Sequence, residues 1–292
     1  MKILLLGNTG QLGYELNRTL LSLGELIALD FPKIDMSDPD NIRSIIRENQ
    51  PNLVINATAY TNVDKAESEP ELAMAINGTG PGILAEELKK FHGAIIHYST
   101  DYVFDGTKGE AYVENDEPTP LSVYGETKLA GEKNVRSVGG ANLIFRTSWV
   151  YSTRRPCFVS KVLEWARKHE TLHIVDDQIS TPTWARSLAE TTTQVITLGR
   201  DNIVEYIANN AGLYHLSDNG SCSRFEWAQS ILTLDPEKET QITKEVLPAS
   251  SSDFDTAAQR PLRSTLSCEK FEKTFGLILP DWQDALQLAM QS

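Results

Sequence analysis

In the stretch SVYGETKLAGEK, residues 122–133, Tyr124 stands four positions before Lys128. On a helix, residues four apart share a face one turn apart. A free phenol, with a pKa near ~10, is a poor acid or base at neutral pH; a neighbouring ammonium stabilises the phenolate and brings that pKa down. The pair is therefore a candidate proton-transfer centre, provided that a helix follows Pro120 and runs through Ala130. The same spacing arises by chance on ordinary helix surfaces, so its meaning depends on what surrounds it.

Two further features lie where such a centre needs them. The run GNTGQLG spaces Gly7, Gly10 and Gly13 three apart, between an apolar stretch and an amphipathic one. Glycines permit a tight turn and close backbone approach, and the free N–H groups of a following helix suit a pyrophosphate. The spacing is G-x-x-G-x-x-G rather than G-x-G-x-x-G, and any sharp strand-to-helix turn uses glycine. The next apolar run ends at Asp30, about where an acid reaches the adenosine ribose hydroxyls; an acid there favours NAD over the 2′-phosphate of NADP. Later, HYSTDYVF closes another apolar run on Ser99 and Thr100, and a hydroxyl at a strand end can hold a substrate carbonyl beside the tyrosine. Taken singly, Asp30 is also a solvated strand end, Thr100 a turn cap and Asp101 the start of a loop. Together they occur in the order one fold requires.

The elements that must position these residues follow from periodicity. KILLLG, ELIALD, NLVINA, GAIIHYS and NLIFRTS are short apolar runs, separated by amphipathic stretches at Gln11–Leu23, Asp38–Glu48 and a glycine-interrupted segment over 69–91. Strand alternating with helix predicts parallel strands and right-handed crossovers, and strands apolar throughout predict a sheet covered on both faces. The fold expected is a doubly wound parallel α/β sheet over residues 1–150, with a returning segment at about 171–205. A smaller C-terminal α/β lobe is expected from 151–170 and 206–292. Within it, CFVSKVLEWARKHE and SRFEWAQSIL read as helices, the second capped by Ser223, TLHIVDD and AGLYHLSD as strands, and PASSSDFDTAAQRP as a loop.

Bulk properties narrow the function classes. A formal charge of −13, from 27 basic and 40 acidic residues, argues against nucleic acid or anionic membrane as a partner but leaves room for a small anionic ligand. Cys157, Cys222 and Cys268 are odd in number and far apart, and the histidines do not cluster, so neither a disulfide framework nor a metal site is expected. No run approaches the ~20 apolar residues of a membrane span, and the opening apolar run is too short for a signal peptide, so a cytoplasmic location is expected.

With these residues in place, the sequence resembles the extended short-chain dehydrogenase/reductase family, whose fold is of the Rossmann type. The resemblance runs through nearly the whole chain and rests on GNTGQLGYEL, NATAYTNVDKAESEPELA, HYSTDYVFDG, PLSVYGETKLAGE, IFRTSWVY, DDQISTPTWA and QRPLRSTLSCEKF. It implies reduction by NADPH or NADH of the C4 ketone of a dTDP-4-keto-L-sugar, on the way to dTDP-L-rhamnose. Tyr124 would donate the proton, Lys128 would lower its pKa and bind the cofactor ribose, and Thr100 would position the sugar carbonyl. The resemblance places Gly10, Gln11 and Leu12 at the pyrophosphate, Asp30 at the adenosine ribose, Asp35 and Met36 near adenine, and Ala59, Tyr60 and Thr61 along the cofactor. Thr100, Asp101 and Trp149 would contact the deoxysugar nucleotide, and Arg260 its diphosphate.

Two other readings stay open. A nucleotide-sugar dehydratase or epimerase of the same superfamily is near, although dehydratases carry Thr-Asp-Glu where this chain has Thr100, Asp101 and Tyr102. A cofactor-binding regulatory subunit of the methionine adenosyltransferase type is the other. Some family members also dimerise around Mg²⁺ held by glutamates, one of them matched by Glu15. Another aligns with Arg186, and the terminal LAMQS carries no carboxylate side chain, so the expectation is a monomer or weak homodimer without the metal.

Overall fold

The computed structural model describes residues 1–291; Ser292, the last residue of LAMQS, lies outside them. Six strands form the central sheet: β1 (Lys2–Leu6), β2 (Glu25–Leu29), β3 (Leu53–Asn56), β4 (Ala94–Thr100), β5 (Asn142–Thr147) and β6 (Gly212–His215). They lie in the order β6-β5-β4-β3-β1-β2 and every neighbouring pair is parallel.

The apolar runs become central strands because each side of the sheet carries its own core. Ile3, Leu5, Ile55, Ile96 and Phe145 face one way, onto the helices Gln11–Thr19 and Ala185–Leu198. The alternate residues Leu4, Leu6, Val54, Ile95 and Ile144 face the other, onto Pro39–Asn49 and Gly80–Lys90. Both side-chain sets of one strand are thus buried, which explains runs that are apolar without alternation. The chain leaves β1 for β2 on one side and reaches β3 on the other. That reversal opens a crevice at the C-terminal ends of β1 and β3.

The smaller lobe has a separate core of Tyr151, Val162, Ile174, Trp184, Trp227, Ile231 and Trp282. It is built from helices Phe158–Ala166, Arg224–Thr233 and Trp282–Met290 and a two-stranded parallel ribbon, Thr171–Val175 on Glu245–Ala249. Ser223 caps its helix as expected, in a reciprocal capping box with Glu226.

The chain crosses between the cores more often than the expected boundaries allow. Gly212–His215, read as part of the small lobe, hydrogen-bonds to β5 and extends the main sheet, and Phe271 and Phe275 pack beneath it. Conversely, Thr171–Val175, read as returning chain, belongs to the small lobe. Helix Ala185–Leu198 packs in the core of the main sheet, beside Gln11–Thr19.

Candidate active site

The crevice above the sheet is a cavity of about 780 Å³ that opens into a second of about 1150 Å³ between the lobes; Gln11, Trp149, Val150, Pro156 and Arg224 line both.

At one end lies the glycine turn. Gly7 has φ +85°, a left-handed conformation that costs a residue with a Cβ, and its N–H donates to the Leu29 carbonyl at 2.8 Å. Gly10 caps helix Gln11–Thr19 without a side-chain hydrogen bond, which leaves the first-turn N–H groups uncapped, and Gln11 and Leu12 of that turn line the cavity. Gly13 is needed for a different reason: a Cβ there would lie 1.9 Å from the Gly7 carbonyl oxygen. It holds the helix against the turn and does not line the cavity. Asp30 accepts from the Thr9 N–H at 3.0 Å and the Thr9 hydroxyl at 2.6 Å, which ties the end of β2 to the glycine turn at the cavity wall.

Asp35, Met36, Ala59 and Thr61 line the same cavity. The Asp35 carboxylate accepts from the Ser37 N–H and hydroxyl at 2.9 and 2.6 Å. Tyr60 does not line it. Its phenol turns away to Glu69 at 2.5 Å, and its backbone is clamped by Asn77, which accepts from its N–H at 2.8 Å and donates to its carbonyl at 3.1 Å.

At the other end Thr100, Tyr124 and Lys128 share one wall. Helix Val123–Val138 starts at Ser122, whose hydroxyl accepts from Gly125 N–H at 3.3 Å, and so puts Tyr124 in its first turn and Lys128 one turn on. Burial pushes the Tyr124 phenol above its ordinary value, and hydrogen bonding to Thr100 only partly opposes it. Lys128 is 3% exposed and donates to the Tyr98 carbonyl at 2.6 Å. Burial brings its ammonium down to about 8, with Glu132 pulling the other way. The dominant influence on the phenol is thus burial rather than the lysine, and the hydroxyl keeps its proton at neutral pH.

One more turn along the helix is Glu132, a residue the sequence reading passed over. It is buried and accepts from Arg146 on β5 at 2.8 and 2.7 Å and from Ser99 at 2.5 Å. Tyr124, Lys128 and Glu132 form one stripe on the helix, and the last is anchored to the sheet. Continuing the four-residue spacing by one step would have found it.

Asp101 lines the cavity, but its carboxylate turns away to Ser264 at 2.5 Å, Ser180 at 3.1 Å and Thr100 at 3.1 Å. Burial raises it to about 6 against the pull of those hydroxyls. It fastens the end of β4 to the small lobe. Trp149, at φ +40°, stacks on Trp227 at 5.7 Å. Arg260 lines the second cavity and pairs with Asp64 at 2.6 Å. Arg224, also passed over, has its guanidinium 3.7 Å from the Trp149 ring centre and lines both cavities. Burial raises the Tyr102 phenol, and the charges of Arg224 and Arg260 oppose that rise, so two guanidiniums converge near it at the junction.

A glycine turn at the switch point of a parallel sheet, with a tyrosine–lysine pair across the crevice, defines an extended short-chain dehydrogenase/reductase fold. The match to the model described as the RmlD substrate binding domain covers residues 1–292, and the chain belongs to that family. It is 39% identical to a dTDP-4-dehydrorhamnose reductase of Burkholderia thailandensis, over 100% of this chain and 98% of that protein. Among solved structures, a dTDP-4-dehydrorhamnose reductase of Clostridium acetobutylicum superposes with TM-score 0.91 at 35% identity, over 100% and 99% of the two chains. The Bacillus anthracis enzyme of that name, in complex with NADP, superposes with TM-score 0.88 at 30% identity, over 99% and 98%.

Proposed function

We propose that the protein reduces the C4 ketone of dTDP-4-dehydro-L-rhamnose to dTDP-L-rhamnose with NADPH or NADH. The observation that carries this reading is the shared wall of Thr100, Tyr124 and Lys128 in a cavity that begins at the glycine turn and runs on to the paired arginines. The reduced nicotinamide, when bound, supplies the hydride. Gln11 and Leu12 offer free backbone N–H groups to its pyrophosphate beside Gly10, whose own N–H closes the turn on the Gly7 carbonyl at 3.0 Å, and Asp30 offers its carboxylate to the ribose.

Thr100 holds the ketone oxygen next to Tyr124. The phenol, raised by burial, still has its proton when charge develops on that oxygen and delivers it there. The phenolate that remains is a buried anion, and the Lys128 ammonium one turn away stabilises it. Arg224 and Arg260 face the sugar nucleotide's diphosphate, where a planar fork can bind phosphate oxygens bidentately. Tyr102 occupies the place of the dehydratase glutamate and is engaged by both arginines, which disfavours dehydration. The acidic net charge argues against a nucleic-acid partner and leaves the small anionic substrate to the local cations Arg224 and Arg260.

The test is to supply the 4-keto sugar nucleotide with NADPH or NADH and follow cofactor absorbance and product together. One equivalent of cofactor consumed per rhamnose formed supports reduction. Product without net consumption would show an epimerase, and cofactor binding without turnover would show a regulatory protein.

A further inference from the structure

Glu15, in the helix that follows the glycine turn, is 2% exposed. Its Oε2 meets Arg18 Nε at 3.3 Å and Arg186 Nε at 3.4 Å, and its Oε1 meets Arg154 Nε at 3.6 Å. Three guanidiniums from separate segments thus surround one buried carboxylate. Each has a second hold: Arg18 on Glu190 at 3.3 Å, Arg154 over the Tyr14 ring at 4.7 Å, and Arg186 over the Trp184 ring at 4.8 Å.

An Mg²⁺ ion at this position, as the family resemblance would suggest, needs a different environment. Magnesium takes about six oxygens at ~2.0–2.1 Å in near-octahedral array. Here both Glu15 oxygens face guanidiniums, and the other carboxylate of the cluster, Glu190, is held by Arg18. A divalent cation would have to displace cations already in place, and the residues present do not fit it.

The cluster also reaches the cofactor cavity. Arg154 sits in the loop 152–156, where its N–H donates to the Ser152 hydroxyl at 3.3 Å. The next two residues, Arg155 and Pro156, form part of the cavity wall beside Gln11. Pinning Arg154 to Glu15 therefore fixes the loop against the helix that begins at the pyrophosphate end. We propose that Arg18, Arg154 and Arg186 replace a metal at Glu15, and that the Glu15–Arg154 contact positions the 152–156 loop as a wall of the cofactor cavity. Glu15 and Arg154 are positioning residues in this scheme. The second half rests on the cofactor reading above.

The experiment measures NADPH binding by fluorescence on the full chain, apart from turnover. Arg154→Ala is expected to weaken binding about fivefold, the scale of a half-exposed ion pair, with kcat changed less than about twofold. Arg154→Lys should recover at least half of the loss, which simple loop damage would not allow. Glu15→Gln should weaken binding further; if it fails to fold, the Arg154 pair decides. Mg²⁺ or EDTA should leave affinity, melting temperature and sedimentation coefficient unchanged, and Mn²⁺ followed by electron paramagnetic resonance should stay free. Unaltered NADPH affinity in Arg154→Ala overturns the loop role. Stoichiometric Mn²⁺ binding that is lost in Glu15→Gln overturns the replacement of the metal. Wild-type protein that binds neither NADPH nor NADH would instead overturn the proposed function.

Discussion

The alkaline limb of the pH–rate profile should belong to Lys128. Its ammonium is buried against the Tyr98 carbonyl and lowered to about 8, burial being the main cause and Glu132 the opposing one. Tyr124 is shifted upward by burial, so the phenol does not lose its proton first. If the ammonium must be present when the phenolate forms, kcat/KM should be level to about pH 8 and then fall about tenfold per unit, leaving roughly a tenth at pH 9. The assay is kcat/KM for the sugar nucleotide over a pH series, which reports the free enzyme. A guanidinium in place of the ammonium stays charged throughout, so Lys128→Arg should be slower at pH 7 but lack the limb. Glu132→Gln removes the carboxylate that supports the ammonium and should move the limb to lower pH. It also strands Arg146, so the midpoint rather than the absolute rate is the quantity to compare. A profile flat to about pH 10, or the same limb in Lys128→Arg, would refute this reasoning.

Gly13→Ala should reduce both stability and NADPH affinity, because its Cβ would overlap the Gly7 carbonyl at 1.9 Å and push the helix off the turn; overpacking of this kind costs about 1–3 kcal/mol or more, readable by urea unfolding and cofactor titration. Arg224→Ala should raise KM for the sugar nucleotide about 10–100-fold, the worth of a charged hydrogen bond, while NADPH affinity changes little. The Asp218 carboxyl is buried, accepts from the Trp184 N–H at 2.9 Å and is raised by burial to about 8. Between the ordinary carboxylate range and about pH 8 the unfolded chain ionises while the folded one stays protonated, so stability falls as pH rises across that window. Asp218→Asn should flatten this dependence and gain most near pH 8, as measured by unfolding at about pH 5 and about pH 8.

The first five strands were legible because both faces of the sheet are covered, which makes each strand an uninterrupted apolar run. The sixth, GLYH, is four residues long and follows the fifth by more than sixty, and nothing local says which sheet takes it. TLHIV, by contrast, alternates buried and exposed residues in the structure, the pattern of a small ribbon rather than of a central strand. Tyr124, Lys128 and Thr100 were legible because their spacing follows helix period and strand end. Where Asp101, Tyr60 and Arg224 point was not. Their side chains answer to Ser264, Glu69 and Trp149, contacts that only the folded chain creates.

The most direct test of the central claim uses NADPH deuterated at the transferable position. Wild-type protein should yield dTDP-L-rhamnose with deuterium at C4. Tyr124→Phe should bind the cofactor as before yet form that product about 10²–10⁴-fold more slowly. Deuterium absent from C4, or a phenylalanine variant as fast as wild type, would contradict the assignment of hydride and proton.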